Sequence, residues 1–340
     1  MSDHATSNPA QWRFPRLVGT RTFLAIAVCA AVLGLTGDRL GIGQMIRLSV
    51  DGVLAAAGVG HSQVADGLGA VGRSLFPLQI SETIPLERIE GFDPRHLPFL
   101  SHVEVQEKRS QQLDPNTLTM RTAVTRTKVL VKPLGYLAQV VLKLLETLEI
   151  ALWGTVLAVL VAAPLAVWGA RNFAPNRWAR ALVRGFVSLM RAVPELISAL
   201  FLVLAYGFGP IAGVLALAIH GAGFLGKFYA EDIENADTRP QEALIAAGVS
   251  RLAVLRHAVL PQVLPQYIAY TLYVLDRNVR MATVIGLVGA GGIGQELKGR
   301  YDMYNYGHVG TILVAIFVLV LVLDQISSRL RHHFLAMPER

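Results

Sequence analysis

Six polar residues interrupt stretches of the chain that are otherwise apolar: Arg191, Glu195, His220, Arg277, Asn278 and Arg280. An ionisable group inside a membrane-spanning segment is costly, and it usually faces a cavity or another polar group. Guanidinium groups bind oxyanions through charge-assisted hydrogen bonds, and an amide can add further ones. The pattern therefore favours a pathway for an anionic substrate.

Each of these residues also has a purely structural interpretation. Arg277 and Arg280 are three residues apart, so they lie near one helix face, where Asp276 or Glu195 could neutralise either of them. Arg191 and the glutamate four residues later could pair with each other. The histidine could line the pathway or make a hydrogen bond that serves only packing. The sequence leaves these alternatives open.

Two glycine motifs suggest nucleotide binding, but neither has the required context. Gly289–Gly294 fits G-x-G-x-x-G, yet a predicted membrane helix precedes it in place of a strand. Gly221–Lys227 fits G-x-x-x-x-G-K, but Phe228 follows where a phosphate loop needs Ser or Thr to hold Mg²⁺. We therefore expect close packing or a turn at the first motif and no cofactor in this chain. No Cys/His cluster has the spacing of a metal site, so we expect no metal either.

The composition is that of a polytopic, all-α membrane protein. The 340 residues are 53% hydrophobic and 16% charged, with a mean hydropathy of +0.47. The net charge of +7 could indicate nucleic acid, but the arginines lie beside apolar segments, so the partner they indicate is the lipid bilayer.

Six apolar segments are long enough, alone or with their flanking turns, to be transmembrane helices. The first covers residues 20–37, for which a cleavable signal peptide is the alternative. Arg280 falls near the middle of the fifth segment, and Gly207–Pro210 divides the third from the fourth. The other segments cover residues 150–170, about 186 to 226 for the third and fourth together, 266–288 and 303–323.

The arginines predict the orientation, because cytoplasmic loops carry an excess of positive charge. They place both termini, residues 1–19 and 329–340, in the cytoplasm of a bacterial cell, with the chain in its inner membrane. Residues 38–140 are then external. They comprise an interfacial helix to about Phe76 and an inserted segment, residues 81–133, whose alternating pattern predicts a β-hairpin turning at Asp114-Pro115-Asn116. A solvated, disordered loop is the alternative for this insertion.

A polar segment between the fourth and fifth predicted helices resembles the cytoplasmic EAA loop of ABC importer permeases, by which a membrane subunit docks on its ATPase. It lies within residues 227–261. Its small residues would let a short helix lie close to another protein, glycine can turn the chain at a helix end, and proline can start the next helix. The candidate docking residues are Glu242, Ala243, Ala247, Gly248, Leu260 and Pro261.

From about Leu145 to Arg331 the chain resembles the permeases of phosphonate ABC importers. The matching stretches include Glu146–Ala151, Arg191–Glu195, Asn278–Val284 and Gly286–Gly294. The resemblance implies a type I importer fold with its transmembrane core at 141–328. It also implies three partners: a second copy of the chain, an ABC ATPase dimer that binds ATP and Mg²⁺, and an extracytoplasmic substrate-binding protein.

Three features depart from the family pattern. The docking motif has Leu244 and Ala258 where Ala and Ile are usual, and Asp276-Arg277 with Met281 adds a charge near the proposed pathway. The insertion 81–133 replaces a short external stretch. The resemblance implies phosphonate as substrate, with phosphate, phosphite or phosphate esters as alternatives. A stand-alone secondary transporter and a membrane enzyme are the other function classes, but no pair of broken repeats or convergent catalytic cluster favours either.

Overall fold

The computed structural model describes residues 20–58, 61–89, 97–98, 100–113 and 120–335, in two compact units, Met1–Ser74 and Leu75–Arg340. The predicted cytoplasmic tail 1–19 lies outside the described residues. The first unit contains α1 (Thr20–Arg39), α2 (Ile42–Ala56) and α3 (Gln63–Leu75). The predicted first span, 20–37, falls within α1. Two helices follow it where the sequence predicted one interfacial helix, because Gly58 (φ +83°) ends α2 with a left-handed turn.

The predicted hairpin is confirmed, and it belongs to a three-stranded antiparallel sheet. Its strands are β1 (Glu82–Pro85), β2 (His102–Leu113) and β3 (Met120–Lys132), in the order β1-β3-β2. The registers pair Glu82 with Lys132 and His102 with Val131. The predicted turn Asp114-Pro115-Asn116 lies outside the described residues. The third strand was missed because four residues show too little alternation to be recognised.

Nine helices follow the sheet in the described chain. They are α4 (Gly135–Gly169), α5 (Arg177–Ala192), α6 (Glu195–Tyr206), α7 (Pro210–Asn235), α8 (Thr238–Ala246), α9 (Arg251–Val254), α10 (Leu260–Gly286), α11 (Gly292–Asp302) and α12 (Tyr306–Leu335).

Several boundaries differ from those predicted. The α4 helix begins at Gly135, inside the segment predicted to be external (38–140) and before the predicted core boundary at 141. Residues 227–235 of the predicted docking loop belong to α7, and α12 continues past the predicted start of the C-terminal tail at 329. The extensions of α7 and α12 contain charged residues, which a hydropathy threshold excludes although they are good helix formers; residues 135–140 of α4 contain none.

The helices α4 and α7 pack against each other through small residues. A Cβ added at Gly154 would meet Leu217, and one added at Gly221 would meet Ala158 at 2.9 Å. The contacts advance together along both helices, so the two run parallel. Alanines at helical spacing complete the contact face of α4, and all are fully buried: Ala151, Ala158, Ala162 and Ala166. Small residues allow close approach, which is how helices associate where lipid supplies no hydrophobic driving force.

The third predicted span is a broken one. Helices α5 and α6 meet at an angle of 89°, across Val193 and Pro194. Proline lacks the amide hydrogen that would continue α5, and it disfavours a helical conformation in the residue before it. The predicted break between the third and fourth spans is confirmed, because α6 ends at Tyr206 and α7 starts at Pro210.

Among the described residues, α4, α7 and α12 are long and apolar enough to cross a membrane, and the pairs α1–α2 and α5–α6 reach that length as bent spans. The fifth predicted span lies in α10, which has 27 residues but contains Asp276, Arg277 and Arg280. Within the described part of the chain, five of the six predicted spans therefore correspond to a helix or a bent pair that could cross a membrane by length and composition, and α10, which contains most of the fifth predicted span, is not among these.

The G-x-G-x-x-G run forms a tightly packed turn between α10 and α11. Gly289, Gly291 and Gly292 have φ values of +94°, +85° and +69°. The amide of Gly292 donates to Glu146 Oε1 (3.0 Å), and that of Ile293 donates to Thr147 Oγ1 (2.8 Å). Close packing, which we expected at this run in place of a dinucleotide site, is therefore confirmed.

The same turn holds α11 against α4. Arg300 lies over the ring of Tyr136 at 4.8 Å and donates to Glu296 Oε1 at 2.7 Å. Burial lowers the pKa of Arg300, but the hydrogen bond and the negative charge of Glu296 outweigh burial and raise it above its ordinary value.

We expect Gly294→Ala to destabilise the protein by about 1–3 kcal/mol, because its Cβ would overlap the carbonyl oxygen of Thr283, which is backbone and cannot move away easily. Gly299→Ala is the matched control, since it lies in the same helix with nothing within 4 Å of the added Cβ. Thermal unfolding of the purified protein measures both. Equal unfolding temperatures would contradict the packing account.

Candidate functional site

The six polar residues converge on α10 and its neighbours. Arg277 donates to Glu195 Oε1 in a close ion pair, and its guanidinium lies 6.0 Å from the ring of Phe224. Glu195 is buried, and it is the first residue of α6, directly after the break at Pro194. The break lets the first turn of α6 face α10, so the carboxylate reaches an arginine 82 residues away.

His220 completes this cluster from α7. Its Nε2 lies 3.4 Å from Glu195 Oε1, and its Nδ1 lies 3.3 Å from the carbonyl oxygen of Val193. Glu195 therefore pairs with Arg277 and contacts His220, and the predicted pairing of Glu195 with Arg191 is wrong. The break at Val193-Pro194 separates those two residues onto different helices. The side chain of Arg191 instead packs against Gly223 of α7, with its Cγ close to the position that a Cβ on that glycine would occupy.

A second ion pair lies within α10. Arg280 donates to both carboxylate oxygens of Asp276, at 2.6 and 3.3 Å. The side chain of Asp276 is 6% exposed and that of Arg280 is 44% exposed, so the carboxylate is enclosed and the guanidinium is open. Arg280 lies six residues before the end of α10, a helix that begins at Leu260, six residues before the predicted span 266–288.

Asn278 has a structural role in this arrangement. Its Nδ2 donates to Thr155 Oγ1 at 2.9 Å, and that hydroxyl donates to the carbonyl oxygen of Ala151 at 2.7 Å. Both side chains are buried between α10 and α4. The side-chain amide of Asn278 is therefore already hydrogen-bonded between two helices. The exposed guanidinium of Arg280 is the better candidate for contact with a ligand.

The predicted docking loop folds as a helix, a turn and a helix. α8 is capped by Asp237, whose carboxylate accepts from the amide of Arg239 at 3.0 Å. Gly248 (φ +78°) turns the chain between α8 and α9, as the sequence predicted. The exposed residues of this loop include four of the predicted docking residues and two large apolar side chains: Glu242, Ala243, Ala247, Gly248, Ile245 and Leu252. An exposed face of this kind suits a partner protein.

The second half of the loop is continuous with α10. A π-helical segment (Leu255–Val259) joins α9 to α10, so the chain is helical from Arg251 to Gly286. Pro261 lies in the first turn of α10 and has no amide hydrogen for a bond to an earlier carbonyl, which explains the wider turn before it. Leu260 and Pro261 therefore belong to the base of a helix that carries the two ion pairs near its other end.

One charged cluster beside the docking loop was missed. Glu234 Oε1 accepts from the amide of Arg171 (2.6 Å), from Arg180 Nη2 (3.0 Å) and from Arg184 Nη2 (3.0 Å). The bonds tie the end of α7 to the α4–α5 connection through Arg171 and to α5 through the other two arginines. The sequence separations of 50 to 63 residues left no local signal, and the arginines were interpreted only as indicators of orientation.

We expect the Glu195–Arg277 pair to be strongly coupled in stability. Glu195→Gln or Arg277→Gln alone leaves a buried charge without its partner and should cost about 3–5 kcal/mol. The double variant removes both charges and should cost much less than the two single costs together. Thermal unfolding of the four purified proteins measures the coupling. Additive effects would show that the pair does not hold α6 on α10.

Comparison with known proteins agrees with this architecture. The chain is 56% identical over 257 residues to the "Putative phosphite transport system permease protein HtxE" of Stutzerimonas stutzeri, which covers 76% of this chain and 98% of that protein. At least 70 of the 257 matched residues precede Gly154, because only 187 residues remain from there to residue 340. It is 43% identical over 122 residues to the "Putative cryptic phosphonate transport system permease protein PhnE2" of Escherichia coli strain K12, covering 36% of this chain and all of that protein.

Among solved structures, an inward-facing form of the MetNI methionine ABC transporter matches with a TM-score of 0.50 and 23% identity, over 57% of this chain and 95% of that chain. This likeness concerns the fold, which is that of a type I ABC importer permease. Residues 154–334 match the family described as the binding-protein-dependent transport system inner membrane component. The chain, a multi-pass membrane subunit of an ABC transporter, belongs to this family.

Proposed function

We propose that this permease imports phosphonates or related phosphorus oxyanions. The observation that carries the proposal is the 56% identity to a protein named as a phosphite permease, across 98% of that protein's length. The chemistry of the site supports it. Helix α10 presents an exposed guanidinium, and planar guanidinium groups bind the oxygens of phosphorus oxyanions in bidentate fashion.

The two ion pairs explain how such a pathway can exist inside a membrane. Without substrate, Glu195 and Asp276 neutralise Arg277 and Arg280, so neither cation is left alone in a low-dielectric region. An arriving oxyanion would replace a carboxylate as the partner of the open guanidinium of Arg280. Arg277 is more enclosed, at 24% exposure, and would contact substrate only if its pair with Glu195 opened.

The continuous helix from Arg251 to Gly286 supports a mechanism of coupling. An ATPase seated on α8 and α9 would move the base of this helix, and the displacement would reach the ion pairs at its far end. In this proposal ATP and Mg²⁺ bind the ATPase partner, the complex hydrolyses ATP, and the chain itself binds no cofactor. The docking loop and both termini face the cytoplasm, and a second copy of the chain completes the permease.

The proposal predicts that phosphorus oxyanions stimulate ATP hydrolysis by the reconstituted permease–ATPase complex with its binding protein. The panel is a phosphonate, phosphite, phosphate and sulfate. We expect Arg280→Ala to weaken the response of the complex about tenfold or more, because a charged hydrogen bond contributes about 1.5–3 kcal/mol. Arg280→Lys should retain part of the response, since it keeps the charge but loses the bidentate geometry.

Lys298→Ala is the control, because this exposed lysine pairs with Asp302 in its own helix and with no other acidic residue in the described part of the chain. A complex that is intact but responds to no phosphorus oxyanion would contradict the proposed substrate class. A full response from Arg280→Ala would remove this residue from the pathway and leave the substrate class standing.

The docking proposal predicts that Gly248→Val weakens ATPase association at least tenfold, because a β-branched residue strains the left-handed turn that orients α8 and α9. Gly248→Asn is the matched control, since asparagine tolerates that conformation and nothing lies within 4 Å of the added Cβ. Co-purification from membranes, with equal membrane insertion of all variants, is the measurement. Normal association of the valine variant would show that the turn does not position the docking surface.

A further inference from the structure

The three-stranded sheet ends in a long two-stranded ribbon, here called the basic ribbon: Val105–Leu113 paired with Met120–Lys128. β1 pairs only with the last four residues of β3, from Val129 to Lys132. The nine pairs beyond that point have no third strand in the described chain. At about 3.4 Å per residue, the ribbon extends roughly 30 Å from the sheet.

The basic ribbon has features of an interaction arm. An isolated two-stranded ribbon is at best marginally stable in water, so the nine pairs that have no third strand beside them in the described chain would be stabilised by a partner. Both outer edges present backbone groups that no other described strand bonds, and such edges pair readily with another protein. We propose that the basic ribbon docks an acidic face of the substrate-binding protein that serves this permease. This inference rests on the proposed function.

The charge of the basic ribbon indicates which class of partner it would bind. The ribbon contains five cationic residues and one carboxylate, Glu107, which pairs with Arg126 at 2.8 Å. A second copy of the ribbon would bring like charges together, which disfavours pairing between copies. An acidic protein surface complements the charge and would speed association. The cations are Lys108, Arg109, Arg121, Arg126 and Lys128.

A membrane surface is the competing partner for a basic segment, and the sequence argues against it. No Phe, Trp or Tyr occurs between Phe99 and Tyr136. Segments that rest in a membrane interface are typically anchored by aromatic side chains, and the ribbon has none.

The base of the ribbon is fixed to the transmembrane core. Gln139 of α4 donates to Glu82 Oε1 in β1 at 2.6 Å, and the amide of Leu137 donates to the carbonyl oxygen of Ile80 at 3.2 Å. Thr311 of α12 donates to the carbonyl oxygen of Gln79 at 2.7 Å. These bonds hold the sheet at the end of the core opposite the docking loop.

That end of the core is also where α10 ends, six residues after Arg280. A protein bound to the basic ribbon would therefore be kept near the end of the pathway from which substrate is delivered. ATPase docking and binding-protein docking would occupy opposite ends of the same core.

The test replaces residues 108–125 by Asn-Gly. Glu107 and Arg126 are register partners, and Asn-Gly is the preferred two-residue turn between such partners, so the sheet base is retained. The second variant, Lys108→Glu/Arg109→Glu/Arg121→Glu, keeps the length of the ribbon and reverses its charge. The exposed Arg88→Glu is the control, with the same kind of charge change in this subdomain but off the ribbon.

The measurement is the dissociation constant between the purified permease–ATPase complex in detergent and the binding protein that stimulates it. We expect binding at least tenfold weaker for both ribbon variants, a smaller salt dependence for the charge variant, and no change for Arg88→Glu. Equal unfolding temperatures and equal ATPase association establish that each variant complex is folded.

Unchanged affinity of both ribbon variants would overturn the inference. A loss seen only in nanodiscs of anionic lipid, and not in detergent, would overturn it too, because the ribbon would then act through the membrane. The proposed function is judged by a different result: it fails if the unaltered complex responds to no phosphorus oxyanion, whatever the affinity of the ribbon variants.

Discussion

A charged side chain inside a membrane needs a partner of opposite charge, and helix α10 contains three charged side chains. The arrangement around α10 follows from how they are neutralised. Asp276 pairs with Arg280 one turn later, and this pair needs no other helix. Arg277 needs Glu195, which can reach it only because the chain breaks at Pro194 and starts a new helix there. The bend between α5 and α6 therefore determines the ion pairing of the site as well as the path of the chain.

Close packing supplies the rigidity that these ion pairs need. Glycine and alanine let α4 approach α7 and let the turn after α10 fold back on itself. Asn278 and Thr155 add a buried hydrogen bond between α4 and α10, which fixes the rotation of α10 about its axis. A rigid helix with one end in the predicted docking loop and the other beside the ion pairs can transmit a displacement, whereas a flexible connection would absorb it.

The local patterns along the chain predicted most of the elements. Apolar stretches predicted the helices, alternation predicted the hairpin, and Gly207–Pro210 predicted the break before α7. Boundaries were less accurate where helices extend beyond the apolar segment, as at Gly135 and Asn235. Hydropathy reports which residues contact lipid, whereas a helix ends where its backbone hydrogen bonds end.

The sequence by itself determined that this is a polytopic membrane protein with an anion-compatible set of polar residues, because these features depend on composition and local spacing. Its resemblance to importer permeases added the prediction of a docking loop. Only the tertiary structure decided the partners of those residues. Glu195 pairs with Arg277, 82 positions away, and not with Arg191. Asn278 donates its hydrogen bond to Thr155, and Glu234 accepts from two arginine side chains and a backbone amide. Pairing depends on which helix faces meet, and that is set by breaks and close packing far from the residues concerned.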